Sequence, residues 1–257
     1  MNIFHLIRGS FILVWVPIVT FLSSCMAIFV SILGKSGNQA HIVGRIWARC
    51  ILWPAGVKVT IKGLENIEPD TSCIYAANHQ SQFDIPAVLG YLPIQFRWLA
   101  KRELFQIPVF GFAMRRAGYL PVDRSHPKNA MKSLEEAAQR ITEGKSVLIF
   151  PEGTRSHDGK LLPFKPGGII LALKSQCPII PMAIMGTRDI LPRGSLLAKP
   201  GRVEIRIGQR IETTGLGAGR KELLSQKLRC AIEELMGIND RKHDTERGGR
   251  GDAGISK

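Results

Sequence analysis

The sequence predicts an α/β fold: a single domain with a mixed β-sheet flanked by helices, preceded by an N-terminal membrane-associated helical segment. Three observations carry this. Strand-like and helix-like segments alternate over one continuous stretch after residue 56. The 257 residues are 45% apolar and 22% charged, enough to bury a core and too apolar for a chain disordered throughout. Ahead of the alternation, no charge interrupts the run GSFILVWVPIVTFLSSCMAIFVSILG between Arg8 and Lys35. The expected division is an anchoring helical segment over 1–56, the α/β domain over 57–238 and a disordered polar tail over 239–257.

The uncharged run has 26 residues. As one helix it measures about 39 Å against a hydrocarbon core of about 30 Å. It is long enough to span; a break at Pro17 or at Ser23-Ser24 would instead give two shorter helices dipping into one leaflet. Leu22-Ser23-Ser24-Cys25 looks like a lipoprotein cleavage box, but the apolar run continues past Cys25, where a lipoprotein turns polar. The stretch AHIVGRIWARCILWPAGV sets Arg45 and Arg49 four apart beside two tryptophans, the pattern of a helix lying in a bilayer interface with its basic side to the head groups. Lys35, Arg45, Arg49 and Lys58 favour the cytoplasmic face of the cell (inner) membrane for the remainder.

Each later element has its own signal. Val57, Val59 and Ile61 alternate as a half-exposed strand, and Cys73 to Ala77 form a buried one. Residues 84–90 and 102–116 are helical in character, with Pro108 and Gly111 as interruptions; 118–122 is a short strand. Met131, Leu134, Ala138 and Ile141 mark an amphipathic helix, Ser146 to Phe150 a buried strand and 167–175 another helix. Pro178 to Met185 and the alternation Val203, Ile205, Ile207 are strands, and Leu224, Leu228, Ile232 and Leu235 a last helix. The tail NDRKHDTERGGRGDAGISK is polar and Gly-rich.

The formal charge of +14 calls for a phosphate-rich partner or an anionic membrane surface. Nucleic acid is excluded as that partner, because neither a basic recognition helix nor an aromatic-studded sheet is present and the membrane segment argues against it. Cys25, Cys50, Cys73, Cys177 and Cys230 form no CxxC pair and stand near no histidine at ligand spacing. They read as reduced thiols in packed segments, with neither a metal site nor a disulfide framework.

Three polar strand ends carry the chemistry. YAANHQSQFDIP places His79 five residues before Asp84, just beyond a buried strand. On an unbroken helix those side chains would diverge by about 140°, so they meet only if the chain turns first. Ser81 and Asp84 have capping-box spacing, which supplies that turn, and a catalytic pair and a plain polar cap share the geometry. FPEGTRS follows the strongest strand: Gly153 permits a tight turn, and Thr154, Arg155 and Ser156 offer hydroxyls and a guanidinium suited to phosphate. GYLPVDR ends a third strand in Asp123-Arg124. Gly144-Lys145-Ser146 lacks the first glycine of a phosphate-binding P-loop, and GLGAGR at 215–220 fails the dinucleotide fingerprint at its last position.

NHxxxxD, GYLPVDR, FPEGTRS and the strand IIPMAI, in this order and spacing, resemble the glycerolipid acyltransferase family, bacterial lysophosphatidate (1-acyl-sn-glycerol-3-phosphate) acyltransferases in particular. The resemblance covers roughly residues 57–211 and includes the blocks KRELFQIPVFG and FKPGG. It implies acyl transfer from acyl-CoA or acyl carrier protein to the sn-2 hydroxyl of lysophosphatidate, giving phosphatidate with no metal or organic cofactor. By the same resemblance His79 is the general base and Asp84 fixes its tautomer. Lys101 stands near the oxyanion, with backbone N–H groups as rival donors. The turn Glu152, Gly153, Thr154, Arg155, Ser156 takes the phosphate, with Arg155 as main cation, Arg124 as a second and Glu152 orienting Arg155 or the turn. Acylation of glycerol 3-phosphate or another lysophospholipid, and a membrane-bound thioesterase or lipid hydrolase, are the rival activities.

Overall fold

The computed structural model describes residues 3–34, 37–69, 71–123 and 127–238. The tail 239–257, expected to be disordered, and Arg124 lie outside the described residues.

Seven strands form one sheet: β1 (Val57–Lys62), β2 (Ile74–Ala77), β3 (Phe96–Lys101), β4 (Leu120–Val122), β5 (Ser146–Ile149), β6 (Ile179–Met185) and β7 (Gly201–Ile207). Their spatial order is β1-β7-β6-β2-β5-β3-β4. From β6 to β4 every pairing is parallel. β7 runs antiparallel to β6, with β1 parallel to β7 at the edge, so the sheet is mixed as expected. β3 was not anticipated. Arg97 sits inside it between Phe96 and Trp98, yet it is buried, with guanidinium bonds to the Phe96 carbonyl and to Asn38 Oδ1.

Period-2 alternation divides the strands between two cores. Tyr75, Ala77, Phe96, Trp98, Leu148 and Met182 face one layer, built from α1 (Ile3–Val30), α2 (Asn38–Leu52) and α3 (Asp84–Tyr91). Ile74, Ala76, Val147, Ile149 and Ala183 face the other, with α5 (Pro127–Thr142), α6 (Pro166–Ser175) and α8 (Lys221–Leu235). A short helix of seven residues, α4 (Phe110–Arg116), packs Ala113, and Ala117 just past its end, against Ala27 of α1.

α1 is one helix of 28 residues, unbroken at Pro17, and the only described helix long and apolar enough to cross a membrane. The hydroxyl of Ser24 returns to the Thr20 carbonyl instead of opening the helix. The helix lies lengthwise on the domain. Trp15 Nε1 donates to the Cys50 carbonyl and Trp47 Nε1 to Thr20 Oγ1, while Arg116 donates to both Ser31 Oγ and Ser31 O just past its far end. Its outer face bares Phe4, Ile7, Phe11, Val14, Ile18, Leu22 and Phe29, a continuous apolar stripe at helical spacing.

The expectation that α2 turns its basic side to the head groups is corrected, while Ile42, Ile46 and Trp53 remain exposed. Arg45 donates to the carbonyls of Leu92 and Ile94, and Arg49 to that of Gly90, so both guanidiniums satisfy the orphan carbonyls at the end of α3. Meanwhile Ala48, Ile51 and Leu52 join the sheet's core.

This topology positions a site. From β2 the chain leaves toward β3, and from its neighbour β5 it leaves through α6 toward β6 on the opposite side. Connections that part in opposite directions open a crevice at the carboxyl ends of the two strands. Asn78 closes that end of β2 onto β6: its amide donates to the Ile184 carbonyl at 2.9 Å and accepts the Ile184 N–H at 2.6 Å. Asn78→Ala is expected to orphan two buried backbone groups and cost about 2–4 kcal/mol, read from the urea midpoint. A loss under about 0.5 kcal/mol would contradict the bridging role.

Candidate active site

His79 and Asp84 meet across the turn that the spacing requires. Asp84 is 0% exposed at the first position of α3. Its Oδ2 lies 2.7 Å from His79 Nδ1 and accepts the N–H groups of Gln80 at 2.7 Å and Ser81 at 2.9 Å. Its Oδ1 accepts the Thr187 hydroxyl at 2.5 Å. The Ser81 hydroxyl accepts the Phe83 N–H and donates to the Leu191 carbonyl, so the capping box is half formed: the acid returns to the backbone of Ser81 while the serine looks elsewhere.

The imidazole is fixed on its face as well as its edge. Its ring stacks on Phe150 at 4.0 Å and 9°, and Phe150 stacks in turn on Trp98. With Nδ1 on Asp84, the other nitrogen, Nε2, has no partner among the described residues, and the side chain keeps 14% of its surface exposed. The arrangement is a ring held by its acid with one nitrogen offered to solvent, the form a general base needs.

The turn after β5 locks to the first one. Ser156 N donates to the His79 carbonyl at 2.9 Å, and Gln80 Nε2 to the Gly159 carbonyl at 3.1 Å. Gly153 takes φ +71, the left-handed conformation for which its glycine was singled out. Glu152 is corrected as a phosphate contact, and of its two expected orienting roles it takes the second, holding the turn rather than Arg155. It is 1% exposed, and its oxygens accept the N–H groups of His79 at 2.6 Å and Leu162 at 2.7 Å. It therefore braces the His79 turn. Ser156 is corrected too: it is buried and its hydroxyl accepts the Gly159 N–H, so it shapes the loop. Thr154 is exposed, and Arg155 is half-buried with a guanidinium in no ion pair among the described residues.

Lys101 ends β3, two strands from β2 and so about 10 Å across the same sheet edge. Its ammonium pairs with Glu103 at 3.0 Å and bonds to no member of the His79–Asp84 network. Asp123 pairs with Arg102 and accepts the Asn129 amide.

A third loop completes the site. α7 (Thr187–Ile190) follows β6, and besides Thr187 it brings Arg188, which donates to the His157 carbonyl at 3.1 Å; Arg193 beyond it donates to the Arg155 carbonyl at 2.7 Å. These residues escaped the sequence reading, although Gly186-Thr187 is a polar end of a buried strand like the others.

The family described as Acyltransferase matches residues 58–185, which contain both turns of the site. The chain belongs to that family. Among curated relatives, the chloroplastic 1-acyl-sn-glycerol-3-phosphate acyltransferase BAT2 of Brassica napus is 36% identical over 200 residues, 77% of this chain and 56% of the relative. A 1-acyl-sn-glycerol-3-phosphate acyltransferase of Pseudomonas aeruginosa is 28% identical over 239 residues, 91% of this chain and 89% of the relative. The crystal structure of the 1-acyl-sn-glycerophosphate acyltransferase PlsC from Thermotoga maritima superposes with TM-score 0.76 at 26% identity, covering 98% of this chain and 100% of that one. The chain spans about half the length of the first plant relatives it matches, 56% and 54%.

The Glu152 brace has a pH signature. Burial pushes the Glu152 carboxyl from 4.5 up to about 7, outweighing its two N–H donors. The folded state then holds the proton more tightly than the unfolded one. The stability contributed is full below 4.5 and lost as pH rises to about 7. Thermal midpoints taken from pH 4.5 to 8 should show this decline in the wild type and a flatter curve for Glu152→Gln; parallel curves would contradict it.

Proposed function

We propose that this protein transfers a fatty acyl group from acyl-CoA or acyl carrier protein to the sn-2 hydroxyl of 1-acyl-glycerol 3-phosphate, forming phosphatidate. The observation that carries the reading is the single open nitrogen, His79 Nε2, on a ring whose other nitrogen is held by a buried carboxylate, with the half-buried Arg155 on the loop that bonds to the His79 carbonyl.

The steps follow from that geometry. His79 Nε2 takes the proton of the sn-2 hydroxyl as its oxygen attacks the thioester carbonyl, and Asp84 stabilises the imidazolium at Nδ1. The tetrahedral oxyanion is met by Lys101 or by backbone N–H groups at the strand ends. Collapse breaks the C–S bond, and the departing thiolate recovers the proton from His79. No enzyme nucleophile takes part: burial raises the Cys73 thiol to about 11, and the Ser81 hydroxyl is spent on Leu191. With Glu152 and Ser156 committed inside the loop, the acceptor's phosphate falls to Arg155 and Thr154 on the Gly153 turn, with Arg124 as a second cation. The thioester supplies the driving force, so the chemistry calls for no metal or organic cofactor.

Acceptor and product are both lipids, and the exposed stripe of α1 together with Leu33 and Trp53, 85% exposed, supports seating the domain on a membrane. Because α1 is bonded to the domain along its length, this favours a helix lying in one leaflet of the inner membrane over one that spans it, with the catalytic domain on the cytoplasmic face. The net charge of +14 suits an anionic surface.

Detergent-solubilised protein given lysophosphatidate and acyl-CoA should yield phosphatidate and free thiol in equal amounts. His79→Ala should lower the rate by at least about a hundredfold, and Arg155→Ala should raise KM for lysophosphatidate by about tenfold. Thiol release without phosphatidate would overturn the reading in favour of a thioesterase.

A further inference from the structure

Asp84 uses its two oxygens unequally. Oδ2 is served within its own turn by His79, Gln80 and Ser81. Oδ1 has one donor, the Thr187 hydroxyl, 103 residues along the chain. Thr187 is fully buried at the start of α7, where β6 ends. The same short segment touches the first turn again through Leu191, whose carbonyl takes the Ser81 hydroxyl at 2.8 Å. The terminal torsion of an aspartate is broad and two-fold, so bonds to Oδ2 alone leave the carboxylate plane loosely set. A hydroxyl on Oδ1 fixes it.

We propose that Thr187 is a positioning residue of the acyl-transfer reaction: through Asp84 it sets the orientation and the basicity of His79. The inference rests on the acyltransferase reading of this same site. Thr187 does not reach the reacting atoms. Its O–H draws charge from the carboxylate, so without it Asp84 stabilises the imidazolium more and His79 holds its proton more tightly. A general base works only when neutral at the outset, so the acidic limb of the pH–rate profile then moves to higher pH.

The other charged groups around the pair are accounted for. Glu152, beyond the β5 end, is coupled to Asp84 but gives its oxygens to backbone N–H groups and does not touch Thr187. On α7 itself, Arg188 is turned to the His157 carbonyl, and Asp189 makes no ion pair among the described residues. A displacement of the limb that follows the Thr187 hydroxyl therefore reports on Asp84 and His79.

The test compares wild type, Thr187→Val and Thr187→Ser as full-length, detergent-solubilised protein with lysophosphatidate and acyl-CoA across pH. Valine keeps the shape and deletes the hydroxyl. For Thr187→Val, kcat should fall about tenfold with KM for lysophosphatidate within about twofold of wild type, and the acidic limb should move up by about half to one pH unit. Thr187→Ser should retain the wild-type profile. The proposal is overturned if Thr187→Val keeps wild-type kcat and limb, if its loss lies in KM alone, or if Thr187→Ser fails in the same way as valine. Should the valine variant not fold, Thr187→Ala is read by the same criteria. A wild type inactive on lysophosphatidate overturns the acyltransferase reading and this inference with it. An active wild type with an indifferent Thr187→Val sinks this inference alone.

Discussion

A fully buried carboxylate in an apolar layer survives only if its surroundings supply donors, and the structure around Asp84 is arranged to do so. Four reach it: an imidazole, two backbone N–H groups and a hydroxyl. Three of them require the chain to turn sharply between β2 and α3, so the helix can begin only at Asp84. The fourth requires β6 to end against that turn. The positions of α3, of the His79 ring and of the segment after β6 follow from satisfying this one group.

The second turn depends on the first through a similar debt. Glu152 is as deeply buried as Asp84, but its donors are backbone N–H groups, one of them from His79 itself. The Ser156 N–H then closes the loop back onto the His79 carbonyl. Both backbone polar groups of His79 are thus held by the neighbouring loop, while its side chain is held by Asp84 and Phe150. This division leaves one nitrogen of the ring uncommitted.

Much of this was legible in the sequence, and the boundary has physical causes. Short-range chemistry was readable: the five-residue spacing of His79 and Asp84, the glycine of the turn at 153, and the alternation of most strands are patterns of neighbouring residues. What failed involved partners far along the chain. Glu152 meets His79 at a separation of 73 residues and Asp84 meets Thr187 at 103, and no local pattern announces either. Arg45 and Arg49 have the spacing of an interfacial helix, yet their acceptors are carbonyls at the end of α3. β3 was hidden by a buried arginine, because a charge in a strand reads as exposure until its acceptors are known. For α1, composition set its length and apolarity but not its orientation, which rests on contacts with α2 and α4.

The site turns on Asp84, which selects the imidazole nitrogen of His79 that is left bare. The most direct measurement is the nitrogen-15 NMR spectrum of histidine-labelled protein, with the His79 signals assigned by their loss in His79→Gln. In the neutral ring we expect a protonated Nδ1 coupled to hydrogen and a bare Nε2, an assignment lost in Asp84→Ala. A proton on Nε2 in the wild type, or a tautomer indifferent to Asp84, would contradict it.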